Sequence, residues 1–459
     1  MKNAEFTAFL SIVFILVFSF IFGMLDIINL KTSKNISRLT VDGALFSLFG
    51  EYDTSLLKEY SILGIDEGYG TDQQEEQNLI DKLHYYGDSQ IEHKITAIQY
   101  LTDQSGHAYR EQAIKAMEEK YGIDFIRKYI ERIPEWEESD HTIEEMRQNE
   151  ESIIEQYEEI NQSDEKLEEN PFTCLETIEK TGLLSVVMPK EMELSGLQIL
   201  ENMQPSNRNL NSGRGTLPIR QNLNGIEERL LFHEYLLKQF SNAAMDQRNM
   251  ENNEDIDKDL NYEMEYILAG KKSDKENLES VLMQIFLIRM ALNYAFLMGD
   301  SLKQSEASTL AITISTLLLI PEASEGLKQL IILAWAVGES VIDLRTLLAG
   351  NQVPTIKNTE NWQLTLSSLF TLGNGSEQLD GMDVSEGMTY EDYLRGLLFL
   401  KSDDEITMRS LDRIESNIKK MTGNENFKVD HCVTKLELEN KMEVFTNTTY
   451  IFPAYFGYE

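Results

Sequence analysis

Phe6 to Leu25 reads FTAFLSIVFILVFSFIFGML, 20 residues without a single charge. At about 1.5 Å of rise per residue, a helix over this stretch spans roughly 30 Å, the hydrocarbon thickness of a bilayer. Thr7, Ser11 and Ser19 can return their hydroxyls to the helix backbone, so they do not oppose insertion. Asp26 ends the run. A buried core helix fits poorly, because the segment is apolar on every side and lies at a terminus. A cleaved signal peptide competes, but the run exceeds a usual h-region and no A-x-A site follows it. Burial against a partner is the third reading. A transmembrane anchor over residues 1–25, touching membrane lipid through residues 6–25, is the reading adopted.

Orientation is contested by two arguments. Lys2 precedes the span and Lys31, Lys34 and Arg38 follow it, which favours a cytoplasmic C-terminal side. A short N-terminus before a large domain behaves more often as a signal-anchor with that domain exported, and long domains translocate largely regardless of charge.

Beyond the span, residues 26–50 are read as helix continuing the anchor in one rod. Residues 26–133 form a membrane-proximal helical region. Within it, Ile91, Ile95 and Ile98 fit a helix face, and Ile91–Ile98 also fits a strand. The glycines at 64, 68 and 70 mark a turn, but GxxxxGK[ST], which would cradle phosphate, is absent. Pro134 opens an insert over residues 134–203. Its stretch Glu135–Asn170 carries 15 acidic residues against 2 basic. Ile143, Met146, Ile153, Tyr157, Ile160 and Leu167 recur there at a/d-like spacing, as a solvated surface helix or a coiled-coil arm would have them. Residues 204–218 (QPSNRNLNSGRGTLP) are the linker candidate.

Residues 219–459 are read as a helical core ending in a β-hairpin. Ile226–Phe240 is amphipathic. Asn277–Met298, Leu302–Ile320 and Gly326–Leu348 are strongly apolar. Arg289 interrupts the first, Lys303 and Glu306 start the second, and Glu339 and Asp343 end the third, so the uninterrupted runs are too short to cross a membrane. Tyr390–Phe399 and Ile406–Met421 add two helices. Phe427–Leu438 and Val444–Phe452 alternate as strands about a turn at Glu439–Lys441. The fold class is therefore mainly α with a smaller β part, α+β.

Composition bounds the function. Apolar residues make up 42% and charged residues 26%, and the formal net charge is −37. So acidic a surface repels nucleic acid and anionic headgroups, which excludes nucleic-acid binding. Cys174 and Cys432 lie in no CxxC or Cys/His cluster, so a zinc site is unsupported; one long-range disulfide or two buried thiols fit equally. No HExxH, GxSxG or paired Cys/His signature occurs. Asp255, Asp257 and Asp259 suggest a calcium loop, but Leu260 and Tyr266 stand where the template needs glycine and glutamate. Those carboxylates suit a helix start instead. No catalytic, cofactor-binding or metal residue is assigned, and no cofactor.

Several stretches together carry a resemblance. AEFTAFLSIVFILVF…GMLDIINLK is similar to the anchors of TadE- and TadG-like pseudopilins. EYDTSLLKEYSILGIDEGYG, LNYEMEYILAGKKSDKENL, LIILAWAVGESVIDLRTLLAGNQVPTIKN…NWQL and MTYEDYLRGLLFL resemble a domain-of-unknown-function family of Gram-positive bacteria, found in tight-adherence (Flp-type) pilus gene clusters. Glu5-Phe6 echoes the Glu-aromatic pair of Flp pilins, although no leader ending in glycine precedes it. The resemblance implies a single-pass cell-membrane protein with its large C-terminal domain extracellular. It implies a non-enzymatic, pilin-like or assembly component acting with pilus or secretion-system proteins. An independent adhesin or ligand-binding ectodomain, or a surface hydrolase, are the alternatives.

Overall fold

The computed structural model describes residues 2–122, 126–134, 137, 171–189, 192–199, 204–221, 223–244, 258–317, 321–372, 381–384, 386–444 and 448–458. The acidic stretch Glu135–Asn170 falls, apart from residue 137, outside the described residues, as do Asp255 and Asp257. The chain divides into two compact units: Met1–Ala113 with Asn209–Gln221 and Ile418–Glu459, and Ile114–Arg208 with Asn222–Asn417.

The first unit opens with α1, a single helix from Lys2 to Phe49. No proline interrupts it, and the more polar stretch 26–40 (DIINLKTSKNISRLT) carries the helix from the span into a core-forming segment. After Gly50, α2 (Thr54–Tyr60) starts on Asp53, whose carboxylate accepts from Leu56 N at 2.8 Å, and ends where Ser61 adopts a left-handed φ of 56°. Then come β1 (Ile65–Asp66), α3 (Glu76–Tyr86) and β2 (Glu92–Tyr100); β3 (Cys432–Val444) and β4 (Thr448–Gly457) return from the far end of the sequence.

All strand pairs are antiparallel. β3 pairs with β2 from Tyr100↔Val433 to Glu92↔Lys441, with β4 from Lys435↔Gly457 to Val444↔Thr448, and with β1 at Val433 and Cys432. The open choice at Ile91–Ile98 thus resolves as strand. Ile95, Thr96 and Ile98 suit a pleated surface, and a register irregularity between Ile95 and Ala97 explains why the pattern also passes for helical. The core of this unit joins Val41, Ala44, Leu45, Leu48 and Phe49 of α1 to Leu79 and Leu83 of α3, to Ile95, Ile98 and Tyr100, and to Val433, Leu436, Leu438 and Phe452.

The hairpin turn is displaced from its expected place. Glu439–Lys441 are strand residues of β3, paired with Lys94–Glu92 on one side and Pro453–Ile451 on the other. Their polar side chains would equally suit a turn, and two of them find partners in the sheet. Asn440 is buried and its amide donates to Phe452 O, while Lys441 pairs with Glu92 at 2.8 Å. Val429–His431, inside the expected first strand, is a short 3₁₀ turn.

Helix α4 lies within Asp103–Tyr121 and is broken near its start, where Gln104, Ser105 and Gly106 adopt left-handed φ of 52°, 57° and 80°. The second unit is helical. It includes α5 (Thr173–Thr181), α6 (Ile226–Gln239), α7 (Glu263–Ala269), α8 (Asp274–Gly299), α9 (Ser301–Leu317), α10 (Ser324–Leu348), α11 (Tyr390–Leu400) and α12 (Asp403–Thr422), the last two of which match the helices expected from Tyr390–Phe399 and Ile406–Met421. Ser273 caps α8 by accepting from Glu276 N, and Thr389 with Asp392 forms a capping box at α11. The helix α10 is buried over nearly all of Leu327–Leu348, packed by α8 and α9. The protein is therefore α+β: a long apolar N-terminal helix, a helical body and a C-terminal antiparallel hairpin.

The stretch 204–218 contributes to each unit in turn. Arg208 pairs with Glu415 at 2.6 Å within the second unit. Within the first, Gly213 N donates to Asp103 Oδ1 at 2.9 Å, and Arg214 exchanges backbone bonds with Ile98 at 3.0 Å in each direction.

Candidate functional site

The helix α1 presents two different surfaces along its length. Phe6, Phe9, Ile12, Phe14, Ile15, Leu16, Phe18, Phe20, Phe22, Leu25 and Ile28 are exposed on all sides. Val41, Ala44, Leu45, Leu48 and Phe49 of the same helix are at most 2% exposed. Burying each Val, Leu or Phe is worth ~1.5–3 kcal/mol relative to leaving it in water, so the second half is fixed to its sheet and the first half calls for a non-aqueous surrounding. The helix is long and apolar enough to cross a membrane. A retained anchor and a signal sequence both have this length and composition.

The basic residues beyond the span turn toward β4. Lys34 Nζ lies 4.7 Å from the Tyr450 ring centroid, and Arg38 Nε donates to Tyr450 Oη at 2.6 Å. At the bottom of α1, Phe49 meets Phe456 with ring centroids 4.8 Å apart and Tyr458 at 5.0 Å. The first and last elements of the sequence are thus locked together.

The α8 helix passes the same length test but is largely buried, and it carries a charge into the core. Arg289 on α8 contacts Asp343 Oδ2 of α10 at 2.9 Å through Nε, and donates through Nη1 to the carbonyls of Pro354 and Thr355. Asn293, one turn on, donates to the same Asp343 oxygen at 2.9 Å. Lys357, in the segment after α10, places Nζ 2.6 Å from Glu339 Oε1 and 2.8 Å from Asp343 Oδ1. All four charged side chains are wholly buried.

Two cations and two carboxylates make this quartet internally balanced, which is what a buried charge requires. The carboxyl of Glu339 also accepts from the backbone N–H of Gln363 at 3.0 Å and of Leu364 at 2.7 Å. Gly338 permits that approach: a Cβ there would lie 2.5 Å from a Leu364 methyl. Burial pushes Glu339 above the usual carboxylate range, and Asp343 beside it adds to this against the opposing pull of Lys357. Burial acts on Asp343 too, but Arg289 and Lys357 outweigh it and hold Asp343 below that range.

Further networks surround the quartet's helices. Arg395 of α11 grips Glu234 of α6 and also meets Asp392 at 2.7 Å and Glu391 at 2.9 Å. Glu263 of α7 accepts from Lys258 at 2.9 Å and from Asn417. Glu265 accepts from Tyr390 Oη at 2.7 Å, and Asp412 accepts from Tyr266 Oη at 2.7 Å.

These partners come from three of the stretches quoted above: Glu263, Glu265 and Tyr266 from LNYEMEYILAGKKSDKENL, Glu339, Asp343 and Lys357 from LIILAWAVGESVIDLRTLLAGNQVPTIKN, and Tyr390 and Arg395 from MTYEDYLRGLLFL. The specific residues of those stretches therefore build a polar interior. In sequence, Arg289, Glu339 and Asp343 stood out only as interruptions of apolar runs. The spacing of Glu339 and Asp343, i and i+4 on an otherwise apolar helix, was the available signal of a buried pair on one face.

Among the described residues, no group of three or more His, Cys, Asp or Glu is placed to hold a metal ion. Cys174 and Cys432 are both buried thiols; burial pushes Cys174 up to about 12, and Cys432 Sγ donates to Lys428 O.

A family model described as Family of unknown function (DUF5702) matches residues 161–444. The chain belongs to this family. The DUF5702 match includes the quartet and its neighbouring networks, begins after α1 and ends at the last residue of β3. No curated protein and no solved structure matches the chain.

Proposed function

We propose that this DUF5702 protein is a non-enzymatic, single-pass component of a bacterial cell surface, pilin-like or assembling with a tight-adherence pilus or secretion system. One observation carries the reading. A continuous helix, α1, is apolar and exposed over Phe6–Ile28 and then enters the core of a four-stranded sheet without a break. A flexible linker would tether a domain; an unbroken helix fixes the domain's orientation to its membrane span. That rigidity suits a subunit set in an ordered array beside other membrane helices. The resemblance of residues 4–31 to pseudopilin anchors agrees with it.

In this reading residues 6–25 meet membrane lipid and the acidic domain lies outside the cell. A net charge of −37 keeps that domain off anionic headgroups and discourages contact with nucleic acid. The polar interiors serve the fold, and no group in them is assigned to turnover of a substrate. Affinity purification from native membranes in mild detergent tests the proposal. Recovery of pilin or pilus-assembly subunits is expected; their repeated absence, with the bait intact, contradicts it.

A further inference from the structure

The quartet has more than charge balance in its geometry. An amine touches an oxygen of one carboxyl, a second carboxyl holds it from the other side, and all three side chains are wholly buried. We propose that Lys357 and Glu339 join in an intramolecular amide, with Asp343 positioning the Lys357 amine, so that the mature protein carries a covalent bridge from α10 to the segment after it.

Four observations support the reaction. Lys357 Nζ is 2.6 Å from Glu339 Oε1, and all three side chains are fully buried, so the amine is held on its electrophile without competing water. The second contact, 2.8 Å to Asp343 Oδ1, holds the amine from its other side. Arg289 and Asn293 fix Asp343 from its other oxygen. The N–H groups of Gln363 and Leu364 point at the two oxygens of Glu339, where negative charge develops when an amine adds to the carboxyl carbon. Burial also favours the acid form of Glu339, the form whose hydroxyl can leave.

The step balances without any other reactant. Across the 2.6 Å contact the Lys357 ammonium gives one proton to the Glu339 carboxylate, leaving a neutral amine beside a neutral carboxyl. The freed amine adds to Cδ of Glu339, forming the N–C bond. A second nitrogen proton passes to the carboxyl hydroxyl, the C–O bond breaks, and water departs. One hydrogen remains on the amide nitrogen. Asp343 stays ionised and paired with Arg289 throughout. This bond does not depend on the proposed surface role, and its test reads covalent structure alone.

The full chain, purified in detergent and denatured, is digested with trypsin and measured by mass spectrometry. Cleavage at Arg345 separates the peptide with Glu339 from the peptide with Lys357 unless the two are bonded. The expected result is a branched species lighter than the sum of the two by one water, uncleaved at Lys357, with fragmentation placing the bond on Glu339. Asp343→Asn is expected to leave a substantial unbonded fraction. Release of an ordinary unbonded Lys357 peptide from the wild-type protein overturns the proposal and leaves an ion pair only. A bond mapped to Asp343 overturns the assigned roles.

Discussion

Tyr458 Oη donates to the carbonyl of Phe49 at 2.6 Å, so the penultimate residue of the chain closes on the last residue of α1. The sheet strand that delivers Tyr458 also supplies Phe452 and Phe456 to the same helix. The grip combines apolar packing with the hydrogen bonds of Tyr458 to Phe49 and of Arg38 to Tyr450. Tyr458→Phe is expected to cost about 0.5–1.5 kcal/mol, the usual net worth of one hydrogen bond. Leu48→Ala, at a wholly buried position, is expected to cost about 2–5 kcal/mol. Denaturant unfolding of the detergent-solubilised chain, followed by near-UV circular dichroism, measures both.

Arg289 and Asp343 form a buried pair in which each partner neutralises the other. Removing one leaves the other charged in the core. Arg289→Ala is expected to destabilise the second unit by about 3–5 kcal/mol, whereas the double change Arg289→Met with Asp343→Leu costs much less than the sum of the two single changes. Thermal unfolding of the single and double variants completes the cycle; additive losses contradict the pairing.

Glu263 sets an acid limit. Burial works to raise it, but Lys258, Asn417 and Arg413 prevail and hold it below the ordinary glutamate value. In the window between the lowered folded value and the unfolded value of about 4.3, the unfolded chain binds more protons at this group. Its stabilising contribution is therefore complete above that window and is lost as pH falls through the folded value. Glu263→Gln is expected to flatten this part of the profile, seen as a smaller wild-type-to-variant difference in acid than at pH 7.

The thiols give a separate check. Burial raises Cys174 to about 12, and Cys432 is buried as well. Ellman's reagent at pH 8 is expected to find almost no reactive thiol in the native protein and two after denaturation without reductant. No reactive thiol on denaturation indicates a disulfide.

Much of the fold was readable from residue pattern. The apolar periodicity of Asn277–Met298 and Gly326–Leu348 announces helices whose structural bounds differ by only a few residues, and the charge-free run Phe6–Leu25 announces the first part of a helix that runs on to Phe49. Periodicity could not place the turn of the terminal hairpin, because Glu439–Lys441 reads as polar while its pairing on both flanks makes it strand. The ambiguity at Ile91–Ile98 came from an irregular register, which shifts a strand's alternation by one residue. The charged quartet was hidden for a different reason. Lys357 is far from Arg289 in sequence, and only folding brings both to Asp343.

Under the proposed function, the exposed half of α1 holds the protein in a membrane with the acidic domain outside the cell. Protease treatment of intact cells, with fractions probed for the C-terminal domain and with alkaline-washed membranes in parallel, tests it most directly. The account predicts a protein that stays with the washed membrane and whose C-terminal domain is digested from outside before the cells are broken. A protein released by the alkaline wash, or one whose C-terminal domain is digested only after lysis, contradicts it.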